Sequence, residues 1–261
     1  MIKHLLIILL LTNALIASAQ TDNFPLSLGI GGGIDLIKNT DLSASPLTYE
    51  GMGLPVGING FQANGQWINQ FEIQLIIPFL TNNYPLRSKA DTQLKDWTKV
   101  SVKYQLLRSV GENSNSYLGG AVQSSFFFRE YDFLDGLSWE FQNSLNVQLA
   151  HKVNISDNSF LLPQLSKPVL TYINRKPSLT FDEVFLDDFN ENGAASLLKY
   201  GQWKLPFFNW SAFEFDVLYH LKLSEKLNLQ GKVGFNYYRI NFPEKVTHLN
   251  VPIRCYLNYQ L

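Results

Sequence analysis

The sequence predicts an all-β protein: an antiparallel up-and-down transmembrane β-barrel of about ten strands, or twelve if one more hairpin pairs. Three observations predict it. Apolar and polar residues alternate with a period of two over runs of roughly 11–15 residues. Such runs exceed the usual 5–6 residues of soluble strands and are long enough to cross a bilayer at a tilt of about 45°. The connections between runs alternate between short and long, and the chain closes on "VPIRCYLNYQL", where the alternation persists to Leu261.

The elements follow in order. Residues 1–19 read as a secretory signal peptide, with Lys3 as the positive end, an apolar stretch from Leu5 to Ile16, and Ala17-Ser18-Ala19 as the cleavage site. About twelve apolar residues in a helix cover roughly 18 Å, short of the ~30 Å hydrocarbon core, so the segment is not expected to span. Residues 20–261 are then a single barrel domain. Its first strand, 25–37, carries "GIGGGIDL". A nucleotide loop would need its third glycine at Ile34, and no helix pattern follows. On a strand, Gly29, Gly31 and Gly33 share the inner face and leave a bare wall for bulky side chains from across the lumen.

Strands are placed next at 47–58 and 64–78, the latter with Trp67, Phe71, Ile73, Leu75 and Ile77 against Gln70, Glu72 and Gln74. At 94–110, Val100, Val102, Tyr104 and Leu106 oppose Lys99, Ser101, Lys103 and Gln105. Strand 114–128 precedes 137–152, whose odd positions 137–149 are apolar except Asn143 and whose even positions are polar. Strand 158–174 is interrupted by Pro163 and Pro168, which cannot donate to a ladder. Strands 208–224, 227–241 and 246–261 complete the set. Leu218 breaks the polar face of the first of these. The segment 196–206 is the source of the extra hairpin in the twelve-strand version. Trp67 and Trp139, at strand ends on the apolar face, suit interfacial girdles.

"GENSNS" at 111–116, "NISDNS" at 154–159 and "SEK" at 224–226 are tight polar turns, whereas 79–93, 129–136 and 175–207 are longer. With 21 basic and 22 acidic residues the net charge is −1 and no basic cluster occurs, so no nucleic-acid partner is expected. Cys255 is the sole cysteine, which leaves no intramolecular disulfide and no cysteine-built zinc site. No cofactor motif stands out.

The signal peptide, long alternating strands, polar turns and terminal strand together resemble the small outer-membrane β-barrel proteins of Gram-negative bacteria. The resemblance implies outer-membrane location, contact with membrane lipid, and recognition by the barrel-assembly machinery. In that family the last strand, closing on an apolar or aromatic residue, is the recognised signal; Ile253, Leu257, Tyr259 and Leu261 are the matching positions, with Leu261 where Phe is commonest. The implied role is non-enzymatic: structural, surface-binding or a narrow channel, because ten strands leave little open lumen. An outer-membrane enzyme acting on lipid or peptide is the first alternative, but no nucleophile, base and orienting group come together around His151, His220 or His248. A secreted β-sandwich or lipocalin-like binder is the second.

Two sets of candidate site residues follow. Parity places Glu72, Lys99, Lys103, Glu214, Asp216, Lys232 and Arg254 in the lumen, where an unpaired charge is costly. Counting from the turn at 224–226 sets Glu214 opposite Asn236 and Asn236 opposite Arg254. The expected network therefore pairs Glu214 with Arg254, Lys232 with Asp216, and Glu72 with Lys99 and Lys103. In the acidic loop, Asp188, Asn190 and Asn192 before Gly193 match the opening of a calcium loop, although Lys199 stands where its bidentate Glu belongs.

Overall fold

The computed structural model describes residues 23–41, 45–64, 66–82, 94–111, 115–131, 136–175, 183–198, 201–205, 210–241 and 245–261. The signal peptide at 1–19 and Lys199 lie outside them. The alternating runs form β1 (Asn23–Asp41), β2 (Ser45–Asn64), β3 (Trp67–Asn82), β4 (Leu94–Ser109), β5 (Ser116–Tyr131), β6 (Gly136–His151), the short β7 (Val153–Ser156) and β8 (Ser159–Arg175). A helix α1 (Glu183–Asn192), a 3-10 turn (Gly193–Leu198) and the short β9 (Gln202–Lys204) precede β10 (Trp210–Lys222), β11 (Leu227–Ile240) and β12 (Val246–Gln260).

Ten strands close an antiparallel barrel. Neighbours follow sequence order from β1 to β6, then β8, β10, β11 and β12, and β12 returns to β1. β7 and β9 are short additions that pair only with β8. The twelve-strand alternative fails because β9 is three residues long and cannot span. β1 and β2 exceed expectation, at 19 and 20 residues. Three residues, 42–44, connect them and two, 65–66, connect β2 to β3, where Asn64 Oδ1 accepts from the Trp67 amide at 2.8 Å. The end opposite the termini therefore mixes the long connections 83–93 and 176–209 with the short 42–44, 132–135 and 241–245.

Not all seams are alike. β12 and β1 pair over fifteen positions, from Ser27–Gln260 to Asp41–Val246, and the Leu261 amide still donates to Leu26 O at 2.9 Å. β8 and β10 pair over only eight, ending at Ser166–Glu214. Pro168 is the local cause: it has no N–H to donate, and the β6–β8 register shifts there, between Leu145–Leu170 and Asn146–Pro168.

The distribution of side chains is inverted relative to a water-soluble domain. Each of the ten spanning strands presents large apolar residues outward, among them Ile30 at 71%, Val56 at 63% and Phe79 at 61% exposure. Charged and amide side chains fill the interior, with Asp35 and Glu140 fully buried. A soluble sandwich puts its apolar faces together; this chain does the reverse over its whole circumference. The closing residues Ile253, Leu257, Tyr259 and Leu261 all face outward, as does Cys255. Trp67 lies on the outer face beneath Arg108, whose guanidinium is 5.4 Å from its ring. Trp139 departs from the open girdle expected of it. It is only 7% exposed and stacks at 6.5 Å on Phe126.

Candidate functional site

The lumen is layered. At the end that carries the termini, Phe61, Ile68, Leu107, Phe160, Leu162 and Leu218 form an apolar layer. This accounts for Leu218 on a polar face: its strand must contribute to that layer. His220 belongs there too, 4.6 Å from the Phe160 ring and 3.9 Å from Phe61. A second apolar layer, with Ile37, Ile76, Leu80, Phe127, Tyr238 and Ile240, closes the opposite end. Amides bridge inward from the first layer, Gln148 Nε2 donating to Gln105 Oε1 and Gln105 Nε2 to Gln164 Oε1, each at 3.2 Å.

Between the apolar layers lies a charged one, built from inward positions of six strands. Arg254 donates twice to Asp35, Nε to Oδ1 at 3.0 Å and Nη2 to Oδ2 at 2.6 Å, while Asn250 Nδ2 donates to the same carboxylate at 2.9 Å. Lys232 Nζ is 3.2 Å from both Glu72 Oε2 and Asp216 Oδ2. Lys103 Nζ lies 2.5 Å from Glu214 Oε2 and 4.0 Å from Asp216 Oδ2. Tyr256 OH donates to Glu72 Oε1 at 2.6 Å, and Arg254 Nη1 reaches the same oxygen at 3.6 Å. Four carboxylates and three cations thus tie opposite walls together. The space left beside them is about 20 Å³, room for about one water.

This arrangement corrects two expected pairings. Arg254 is held by Asp35 and not by Glu214, because Asn236 stands opposite Asn250 while Lys232 stands opposite Arg254. β11 meets β12 four residues away from the expected register, with Ile240 opposite Val246, and the four-residue slip keeps every side chain inward while changing its partner. Glu72 is bound by Lys232 rather than by Lys99. Lys103 does stand directly opposite Glu72 on the neighbouring strand, but its ammonium is committed to Glu214 across the lumen. Lys232 beside Asp216 is the pair that register and parity placed correctly.

Lys99 stands apart. Its Nζ lies 4.6 Å over the Phe127 ring, and among the described residues no carboxylate comes within 4.0 Å of it. Near that level Glu140 accepts from Tyr238 OH at 3.0 Å and lies 3.8 Å from Arg129 and from Arg175. Sequence reasoning passed over Asp35, Arg129, Tyr238 and Tyr256. The parity of β1 carries Asp35 inward with Gly29, Gly31 and Gly33, so that signal was available. The glycines receive bulk from the adjacent strand rather than from across the lumen: a Cβ on Gly31 would fall 2.6 Å from the Tyr256 ring.

The calcium-loop reading is overturned by local structure. Asp188, Asn190 and Asn192 lie within α1, not in a loop, and Asn192 Nδ2 donates to Asp188 Oδ1 at 2.9 Å. At the rim that carries the termini, Ser116 Oγ is 3.0 Å from His151 Nδ1, with no carboxylate paired to that histidine among the described residues.

No family model matches the chain, and no curated protein sequence matches it. Solved structures similar to it include the outer membrane protease OmpT from Escherichia coli, at 8% identity and TM-score 0.48, covering 91% of this chain and 95% of that one. An outer membrane channel from Pseudomonas putida F1 is similar at 9% identity and TM-score 0.40, over 92% and 96%. The translocator domain of the autotransporter NalP from Neisseria meningitidis is similar at 8% and 0.34, over 95% and 93%.

Proposed function

We propose that this chain is an integral outer-membrane barrel, non-enzymatic and closed to bulk solute, which works as a structural or surface-binding element rather than as a diffusion channel. The observation that carries the reading is the inversion itself: an apolar belt around the outside and, within, a charged layer sealed between two apolar ones. An exposed apolar surface of that extent needs lipid around it. The charged layer supplies what a bilayer demands of buried polar groups, which is partners on the opposite wall.

On this reading residues 1–19 export the chain, the barrel-assembly machinery inserts it, and membrane lipid is its permanent partner. Cell fractionation tests it. The protein is expected in the outer-membrane fraction, resistant to carbonate washing, and to migrate faster on gels unheated than boiled. Recovery in the soluble periplasm would overturn the reading.

A further inference from the structure

Just beyond the charged layer, toward the end away from the termini, the lumen opens into a cavity of about 50 Å³. That is room for a few waters, or for a group the size of a carboxylate or phosphate. Its lining is mixed: Lys99 is its cation, Gln123, Ser125, Gln142, Ser144 and Asn146 supply amides and hydroxyls, and Phe127, Tyr238 and His248 supply rings. The one carboxylate, Glu214, is already taken by Lys103 at 2.5 Å. Asn146 is 2% exposed, yet its Oδ1 has no hydrogen-bond partner among the described residues. Among the described residues no carboxylate lies within 4.0 Å of the half-buried Lys99 ammonium, and its nearest contact is the Phe127 ring, whereas every cation of the layer below has a carboxylate within 3.2 Å.

The cavity also reaches the wall at the weak seam. Pro168 of β8 and Ala212 of β10 both line it, and these residues flank the point where the β8–β10 ladder stops. Tyr237 lines it as well, although it pairs with outward-facing Phe213 and packs on that ring at 5.8 Å. Outside the seam stand Val169 and Phe213, 38% and 39% exposed to the apolar surroundings. The cavity therefore reaches the wall where the β8–β10 ladder ends, in the interval of β8 between Ser166 and the Thr171–Ile173 stretch that pairs with β9, while the charged layer and the apolar layers obstruct the route along the axis.

We propose that this cavity binds the anionic head group of an amphiphile on the Lys99 ammonium, with its acyl chain leaving sideways between β8 and β10 above Ser166. The proposal rests on the membrane-barrel reading. The two fail differently: a soluble protein sinks both, whereas a membrane barrel that binds nothing sinks only this one.

The full chain, purified in a neutral maltoside detergent, is titrated with laurate and dodecyl phosphate, and with acetate and inorganic phosphate as chainless controls. At least one of the chain-bearing anions is expected to bind saturably at one site, and the tighter one identifies the head group. Lys99→Met should weaken it roughly 30-fold or more, and Lys99→Arg should retain it. Ala212→Trp, which fills the seam without touching the charge, should weaken it too, and heat-modifiable migration confirms that each variant is folded. Laurate and dodecyl phosphate binding unchanged in Lys99→Met, no saturable binding by either, or equal binding of the chainless anions would overturn the proposal.

Discussion

Two levels of the same lumen treat their cations differently. In the charged layer Arg254, Lys232 and Lys103 each lie within 3.2 Å of at least one carboxylate, and Asp35 accepts three hydrogen bonds. One level further from the termini, Lys99 faces a ring and a cavity. The first arrangement is a core: its charges offset one another's desolvation, and removing any one leaves another stranded. The second leaves its cation with a ring and a polar cavity nearest it and its carboxylates further off.

The largest expected effect breaks the core. Arg254→Ala leaves Asp35, wholly buried, without its cation, and should cost about 3–5 kcal/mol in denaturant unfolding of the barrel in vesicles. A loss below about 1 kcal/mol would mean that the layer is hydrated and not a core. Next comes the apolar seal, where Leu162→Ala at a fully buried position should cost about 3 kcal/mol by the same assay. A double-mutant cycle then sharpens the wiring. Asp35→Asn with Arg254→Ala should show a coupling of roughly 2 kcal/mol, and Glu214→Gln with Arg254→Ala under about 0.5, since Glu214 belongs to Lys103. The smallest effect is on the other side of the comparison: Lys99→Met should change stability by less than about 1 kcal/mol, or raise it, because no carboxylate is stranded. A loss as large as that from Arg254→Ala would abolish the distinction between the two levels.

Much of the fold was legible because a strand's side chains have period two. Parity alone put Glu72, Lys103, Glu214, Asp216, Lys232 and Arg254 on one face and Leu145, Val147, Ile253 and Leu257 on the other. Register was harder. The turn at 224–226 fixes Glu214 opposite Asn236, as counted, but β12 pairs with β11 four residues off the count, Asn250 rather than Arg254 facing Asn236, and Arg254 bonds Asp35 instead of Glu214. Contacts across a lumen, such as Lys232 with Glu72, join residues 160 apart in the chain and have no local signature at all. Pro168 was visible as a break in a strand. That the break falls on the seam with β10, beside the Lys99 cavity, depends on which strand comes next around the barrel once α1 and β9 are passed. The calcium-loop spacing misled because the same residues suit a helix once Asn192 can donate to Asp188 four residues earlier.

On the proposed reading the lumen is a packed core closed to ions, and planar-bilayer recording distinguishes that from a channel. Purified protein inserted into a bilayer should give no steady single-channel conductance in its unmodified form, whereas Arg254→Ala, if it remains folded, should show small openings. A stable, ohmic conductance from the unmodified chain would contradict this reading, because ions would then be passing through a layer in which Arg254, Lys232 and Lys103 are each bound to a carboxylate and the cavity beside them holds about one water.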